Sequence, residues 1–283
     1  MTEFHLTNSA GHRLYAVEWP ASEARGVVGL IHGVGEHCRR YDHLATRFNA
    51  AGFGVVGYDR QGFGRSEGRR GDAENLGVLL DEISQLVVSC ERRYPDLPVF
   101  LYGHSMGGML LLRYLIKRHP AISGAIVSAP HIQLSFQPSS LLVGIGKVMR
   151  RVYPTFSQQS DLDLDQLSRD PAVRSAYEAD PYTHGTLSSR LGIDMLEAGN
   201  WLHTWRGELP VPTLLMHGTA DGLTSYDAST AFGERNPSRL TFRAWDGLYH
   251  ELHNEPEQEE VFRYVLDWLE QHLGEVHRPP ASV

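Results

Sequence analysis

A serine flanked by glycines constrains this chain more than any other feature. Gly103-His104-Ser105-Met106-Gly107 follows the apolar, strand-favouring run Pro98-Val99-Phe100-Leu101-Tyr102 and precedes a helix-forming run from Gly108 to Leu115. Strand, sharp turn and helix in that order put the serine at the tip of a strained connection and lift its hydroxyl above the sheet. Side chains at the flanking glycines would clash with the chain segments that such a turn brings close. G-x-S-x-G alone also occurs in ordinary glycine-rich loops; the strand before it and the helix after it carry the reading.

The rest of the chain supplies a sheet for that turn. Glu3 to Thr7 and His12 to Trp19 alternate around Asn8-Ser9-Ala10-Gly11, as in an antiparallel hairpin at a sheet edge. Continuous apolar strands follow at Gly26–Ile31, Phe53–Tyr58, Pro98–Tyr102, Gly124–Ala129, Thr213–His217 and Arg239–Trp245. Helical stretches at Tyr41–Ala51, Leu76–Tyr94 and Pro256–Leu273 separate or follow them. Apolar strands alternating with helices imply a mostly parallel sheet covered on both faces.

One interval breaks the rhythm. Roughly 80 residues separate Ala129 from Thr213, far more than a crossover needs. Leu141–Met149 looks helical and apolar on more than one side, Asp165–Pro171 suggests a helix start, and Leu187–Trp205 a long helix. The interval reads as a helical cap over the C-terminal strand ends, where open sheets of this type hold their sites. The expected organisation is a core at 1–130 and 211–275, a cap at 131–210 and a loose tail at 276–283. Leu141, Leu142, Val143, Ile145 and Val148 would form an exposed apolar patch suited to peripheral membrane contact if the cap helix faces outward. They would pack onto the main domain if it does not.

Bulk properties exclude other classes. The 283 residues are 41% hydrophobic, enough for a large core, and the formal charge of −8 with no long basic run argues against nucleic acid. The first residues lack the basic-then-apolar pattern of a signal peptide, and no apolar stretch reaches the ~18 residues of a membrane span. Two cysteines, Cys38 and Cys90, cannot build a disulfide framework, so a cytoplasmic location is expected.

A serine hydroxyl needs a base within hydrogen-bond reach, and the base needs an orienting group. With a serine elbow the chain order is serine, acid, histidine. Asp221 follows the Thr213–His217 strand and His250 follows the last one, so both reach the edge that carries Ser105. Asp194 and Asp227 are rival acids, but neither follows a strand directly; His253 is the rival base. The oxyanion formed on ester attack needs backbone N–H donors already in place. Met106 is one, and Val34 in the loop His32-Gly33-Val34-Gly35-Glu36-His37 is the second.

Other motifs fail. Gly52-Phe-Gly54-Val-Val-Gly57 lies within a strand and not after one, which argues against a dinucleotide site. Gly144-Ile-Gly146-Lys147 lacks the rest of a phosphate loop. His32 to His37 and His250-Glu-Leu-His253 lack the spacing of a zinc protease. No metal or organic cofactor is implied. Cys38 beside the oxyanion loop reads as a turn residue.

These segments together resemble the monoacylglycerol lipase and lysophospholipase family of α/β-hydrolases. The resemblance rests on His32-Gly-Val-Gly-Glu-His37, Asp59-Arg-Gln-Gly-Phe-Gly-Arg-Ser-Glu-Gly68, Gly103-His-Ser-Met-Gly-Gly108, His217-Gly-Thr-Ala-Asp221 and Tyr249-His-Glu-Leu-His253, with Leu167–Asp170, Tyr177 and Asp180-Pro181 in the cap. It spans about residues 5 to 273. It implies an α/β-hydrolase fold, the triad Ser105, Asp221 and His250, and oxyanion donors Val34 and Met106. It further implies that Glu36, Arg40, Tyr177 and His253 contact or organise a glycerol headgroup, and that the cap holds an acyl tunnel and a membrane-facing lid. The implied reaction is hydrolysis of a monoacylglycerol, a small lipid ester, to fatty acid and glycerol. Lysophospholipase or general carboxylesterase activity is the alternative. An aminopeptidase, with Glu178 and Asp180 for the substrate amine, and a non-catalytic receptor of the same fold are further ones. Val34 departs from the family, whose eukaryotic members usually carry Ala there; the backbone donor survives the change, but a narrower mouth is expected. Oligomeric state is left open.

Overall fold

The protein, described here by a computed structural model over residues 1–159 and 162–274, is organised around one eight-stranded sheet in the order β1-β2-β4-β3-β5-β6-β9-β10. The hairpin β1 (Thr2–Thr7) and β2 (Arg13–Trp19) is antiparallel and sits at the edge. It leads to β4 (Phe53–Tyr58), β3 (Gly26–Ile31), β5 (Val99–His104), β6 (Gly124–Ser128), β9 (Thr213–Gly218) and β10 (Leu240–Trp245), which run parallel to one another. The tail expected at 276–283 lies outside the described residues.

The continuous apolar strands are continuous because both faces are covered. Val27, Leu101, Val127 and Leu215 point to a core shared with α2 (Leu76–Arg93) and α3 (Met106–Arg118). Val28, Phe100, Ile126 and Leu214 point the other way, to a core shared with α1 (Asp42–Ala50) and α8 (Gln258–His272). Fully burying one such side chain contributes about 1.5–3 kcal/mol, so the alternation fixes which helices lie on which face.

Between β6 and β9 the chain forms α4 (Ser140–Val152), the short hairpin β7 (Ser157–Gln159) and β8 (Thr186–Ser188), α5 (Pro171–Ala179) and α6 (Ser189–Thr204). The helix start expected after Asp165 falls at Pro171: Asp170 caps it by accepting from the Ala172 N–H at 2.9 Å. The long helix expected from Leu187 begins two residues later, where the Ser188 hydroxyl accepts from Leu191. This interval is not one free-standing unit. Leu191, Met195, Ala198 and Leu202 of α6 join the core around α3, and a Cβ on Gly199 would lie 2.4 Å from the Ile132 carbonyl.

α4 is different, for none of its residues is buried. Val143 and Gly146 face α6, a Cβ on Gly146 lying 3.0 Å from Ile193. Leu141, Ile145, Val148 and Val152 recur on the opposite side, 73%, 47%, 60% and 75% exposed. Of the five apolar residues singled out in the sequence, four face solvent; Val143 turns inward. A helix α7 (Tyr226–Glu234), capped by Ser225, was not expected.

Candidate active site

Ser105 joins β5 to α3 at φ 54°, ψ −117°, a conformation L-residues avoid and tight elbows require. Its N–H donates to the Ser128 carbonyl at 2.9 Å, and its own carbonyl accepts from His131 and Met109 at 3.1 and 3.0 Å. These bonds hold the strained backbone. The glycines are steric necessities: a Cβ at Gly107 would stand 2.2 Å from the Ile31 carbonyl oxygen, and one at Gly103 2.7 Å from that of Gly107.

Two loops meet beside the serine because β9 and β10 are neighbours. Gly218 at the end of β9 lets the chain pass the Leu248 carbonyl, which a Cβ would approach to 2.2 Å. Asp221 Oδ2 then lies 2.7 Å from His250 Nδ1. The same carboxylate meets His217 Nε2 at 2.9 Å and accepts from the Thr224 hydroxyl at 2.8 Å, while Oδ1 accepts the N–H groups of Leu223 and Thr224 at 2.8 and 2.9 Å. Burial alone would raise the Asp221 pKa. The His250 charge and the bonds from His217 and His250 outweigh it and hold the acid well below its ordinary range. Burial likewise pulls the His250 pKa down, but the Asp221 charge and hydrogen bond leave it above its ordinary value. The rival acids lie elsewhere: Asp194 pairs with Arg150 at 2.9 Å, and Asp227 stands in the first turn of α7.

The loop after β3 faces this pair. His32 bridges Gly33 and Arg60: Nδ1 lies 2.8 Å from the Gly33 carbonyl, and Nε2 accepts from the Arg60 N–H at 3.0 Å. Burial drives the His32 pKa well down, so the ring is neutral and the tautomer is set. Gly33 leaves room for Glu36, whose Oε1 accepts the Gly33 N–H at 2.5 Å and the Tyr41 hydroxyl at 2.7 Å. Gly35, at φ 75°, presents its carbonyl to the Tyr177 hydroxyl at 2.8 Å and the His184 N–H at 3.0 Å. Val34 lies between these anchored glycines and lines the cavity above Ser105. Met106, first in α3, carries one of the N–H groups that a helix leaves without an internal partner.

Ser105, His250, Val34, Glu36, Arg40 and Tyr177 all line one cavity of about 20 Å³, room for little more than one water. No hydrogen bond joins Ser105 Oγ to His250 across it among the described residues. Catalytic contacts of this kind are often loose without substrate and tighten in its complex. A larger space of about 310 Å³, lined by His131, Ile132, Val143, Ile193 and Leu196, opens under α4.

His253 is the exception among the residues expected to contact or organise the headgroup. It is fully buried, stacked on Tyr41 at 4.6 Å and packed against His104 at 5.0 Å, and it does not line the cavity. Burial lowers its pKa to about 3. Headgroup contact by His253 is therefore corrected to a packing role beneath His104, whose ring lies 4.6 Å from that of His250. Glu251 was missed. It is 2% exposed, lines the cavity and takes the Arg40 guanidinium through both carboxylate oxygens at 2.7 and 2.9 Å. Cys38 is buried, and burial raises its thiol pKa well above the ordinary value.

The strand order, flanking helices and serine elbow define the α/β-hydrolase class. A family model described as "Serine aminopeptidase, S33" matches residues 22–257. The chain is 36% identical to the monoacylglycerol lipase of Mycolicibacterium smegmatis over 275 residues, covering 96% of this chain and 98% of that one. A crystal structure of Paleococcus ferrophilus monoacylglycerol lipase aligns with TM-score 0.84 and 34% identity, covering 92% of this chain and 99% of the other. A soluble variant of Saccharomyces cerevisiae monoglyceride lipase, in complex with a substrate analog, aligns with TM-score 0.85 and 25% identity, covering 96% of each. The chain belongs to the monoacylglycerol lipase family of α/β-hydrolases.

Proposed function

We propose that this enzyme hydrolyses monoacylglycerols to fatty acid and glycerol through a covalent acyl-enzyme. Ser105 Oγ attacks the ester carbonyl carbon while His250 Nε2 takes the hydroxyl proton. Asp221 keeps the proton on Nδ1 and stabilises the imidazolium that forms. The N–H groups of Val34 and Met106 receive the carbonyl oxygen as it becomes negative. Collapse expels the glycerol oxygen, which takes the proton from His250. Water, deprotonated by His250, then attacks the acyl carbon, and Ser105 leaves with the proton returned. The 2.7 Å contact of Asp221 with His250, which lines one cavity with the strained Ser105, supports this reading most.

A cavity of about 20 Å³ cannot hold an ester, so in this reading the part of the 131–210 interval that precedes α6 acts as a cap that opens, while α6 stays in the core. The outward apolar stripe of α4 gives it a surface on which to open, at a lipid interface. An aminopeptidase would need free acids for the substrate amine. Neither cap candidate is free: Glu178 pairs with Arg174 at 3.0 Å, and Asp180 lies 2.9 Å from His37 Nε2.

Turnover of a short nitrophenyl ester, a monoacylglycerol and lysophosphatidylcholine by the wild type and Ser105→Ala tests the proposal. The monoacylglycerol is expected to be the fastest lipid substrate, and Ser105→Ala to be folded by circular dichroism and inactive on all three. Turnover retained in that variant rejects the assignment.

A further inference from the structure

Two loops that must act together come from strands with three others between them. β3 carries the oxyanion loop and β10 the histidine loop, while β5, β6 and β9 separate them in the sheet. One continuous chain of polar contacts spans the gap. The Gly33 N–H donates to Glu36 Oε1 at 2.5 Å; Arg40 Nη1 donates to Glu36 Oε2 at 2.7 Å and to Glu251 Oε1 at 2.7 Å; Arg40 Nη2 donates to Glu251 Oε2 at 2.9 Å. The Asn254 amide adds a further bond to Glu251 at 2.6 Å. The side chains are 3% (Glu36), 9% (Arg40) and 3% (Glu251) exposed, so solvent barely screens them. Glu251 adjoins His250, and Gly33 adjoins Val34.

We propose, building on the reading of Ser105, His250 and Val34 given above, that Glu251 is a positioning residue: through Arg40 and Glu36 it fixes the histidine loop against the oxyanion loop. Its buried charge also acts on the imidazole. Asp221, Glu251 and Glu36 act on His250 as negative charges, while His104, His131 and His253 are its imidazole neighbours and Arg40 is the cation that acts on His104 and His253. Arg40, spent on two carboxylates, serves this tie before it serves a substrate. A bidentate guanidinium pair carries geometry that a single charge cannot.

Glu251→Gln, Glu251→Asp and Arg40→Lys, assayed on a short nitrophenyl ester across pH, test this. In Glu251→Gln, kcat is expected to fall about ten- to a hundredfold with KM little changed, the scale of a small misplacement of reacting groups. Its acid limb moves to lower pH, because a negative neighbour of His250 has gone. Glu251→Asp keeps the charge and restores the limb. Arg40→Lys keeps its charge but cannot span both carboxylates, so kcat falls with the limb unmoved. Wild-type kcat in Arg40→Lys, or a Glu251→Gln variant whose limb stays in place, overturns the proposal. If Glu251→Gln does not fold, Arg40→Lys decides alone. Activity surviving in Ser105→Ala would instead overturn the reading on which the proposal rests.

Discussion

His217 and His250 reach the same oxygen of Asp221, at 2.9 and 2.7 Å, from two different stretches of chain. Only His250 borders the reaction cavity; His217 is fully buried, with Nδ1 2.8 Å from the Ser229 hydroxyl. Asp221→Asn and His217→Ala should therefore separate cleanly. An amide at 221 presents a donor to Nδ1 and forces the wrong tautomer, so kcat is expected to fall by about 10⁴ in a folded protein. His217→Ala leaves Asp221 held by Leu223 and Thr224, and costs about 1–3 kcal/mol of stability through unpaired buried groups. Its kcat stays within about tenfold of wild type. Urea unfolding and ester turnover on both variants check the pair; equal activity losses would contradict it.

The pH profile follows from the same carboxylate. On the proposed mechanism His250 must be neutral at Nε2 to accept the serine proton, and Asp221 raises its pKa despite burial. The acid limb of kcat/KM is thus expected above the ordinary histidine value of 6.5, with activity rising as pH increases through it. A limb below that value would mean that burial prevails over the Asp221 charge.

Much of this was legible in the chain, for particular reasons. β3, β4 and β9 announce themselves because residues buried on both faces read as unbroken apolar runs. The elbow, Asp221 and His250 follow from strand ends. α7 stayed hidden because its apolar buried positions are few, Ala228 and Phe232 among them. Glu251 gives no local signal: its importance comes from Arg40, 211 positions away in sequence. Its place directly after His250 was the one available hint. His253 misled because a motif letter carries no depth; stacked on Tyr41 and packed against His104, it lies outside the cavity lining.

Glycines offer a contrast between required and idle positions. Gly107→Ala should abolish activity and soluble yield, since the new methyl would stand 2.2 Å from backbone oxygen that strand β3 cannot move. Gly144, on α4 with nothing within 4 Å of its Cβ position, should accept alanine. There the substitution is expected to stabilise the helix by about 0.5–1 kcal/mol. Expression yield, and circular dichroism during thermal unfolding, distinguish the two.

Glu82 is a buried acid away from the reaction cavity, and burial pushes its pKa up from 4.5 to about 7. Oε1 accepts from the Asn8 amide at 2.8 Å, while Oε2 has no hydrogen-bond partner among the described residues. The folded protein binds this proton more tightly than the unfolded chain does. The group's stabilising contribution is therefore complete at low pH and is lost as pH rises from 4.5 to about 7. Glu82→Gln removes that dependence. The stability of wild type relative to the variant should fall by roughly 3 kcal/mol between about pH 4 and pH 8, at 1.36 kcal/mol per pKa unit. Parallel urea titrations at both pH values measure it, and curves that keep a constant separation would show that Glu82 does not titrate there.

The outward face of α4 makes the last prediction. Leu141 and Leu142 are 73% and 65% exposed, and burying a leucine in an apolar phase is worth about 1.5–3 kcal/mol. A side chain that loses that contribution weakens membrane partition by roughly tenfold or more, since 1.4 kcal/mol is a decade in affinity. Leu142→Asp should therefore leave the vesicle pellet in co-sedimentation with phosphatidylcholine liposomes, while its turnover of a soluble nitrophenyl ester stays close to wild type. Turnover of monoacylglycerol presented in those vesicles should fall with the pelleting, because the substrate is met at the surface. Equal pelleting of the two proteins would assign the stripe to something other than lipid.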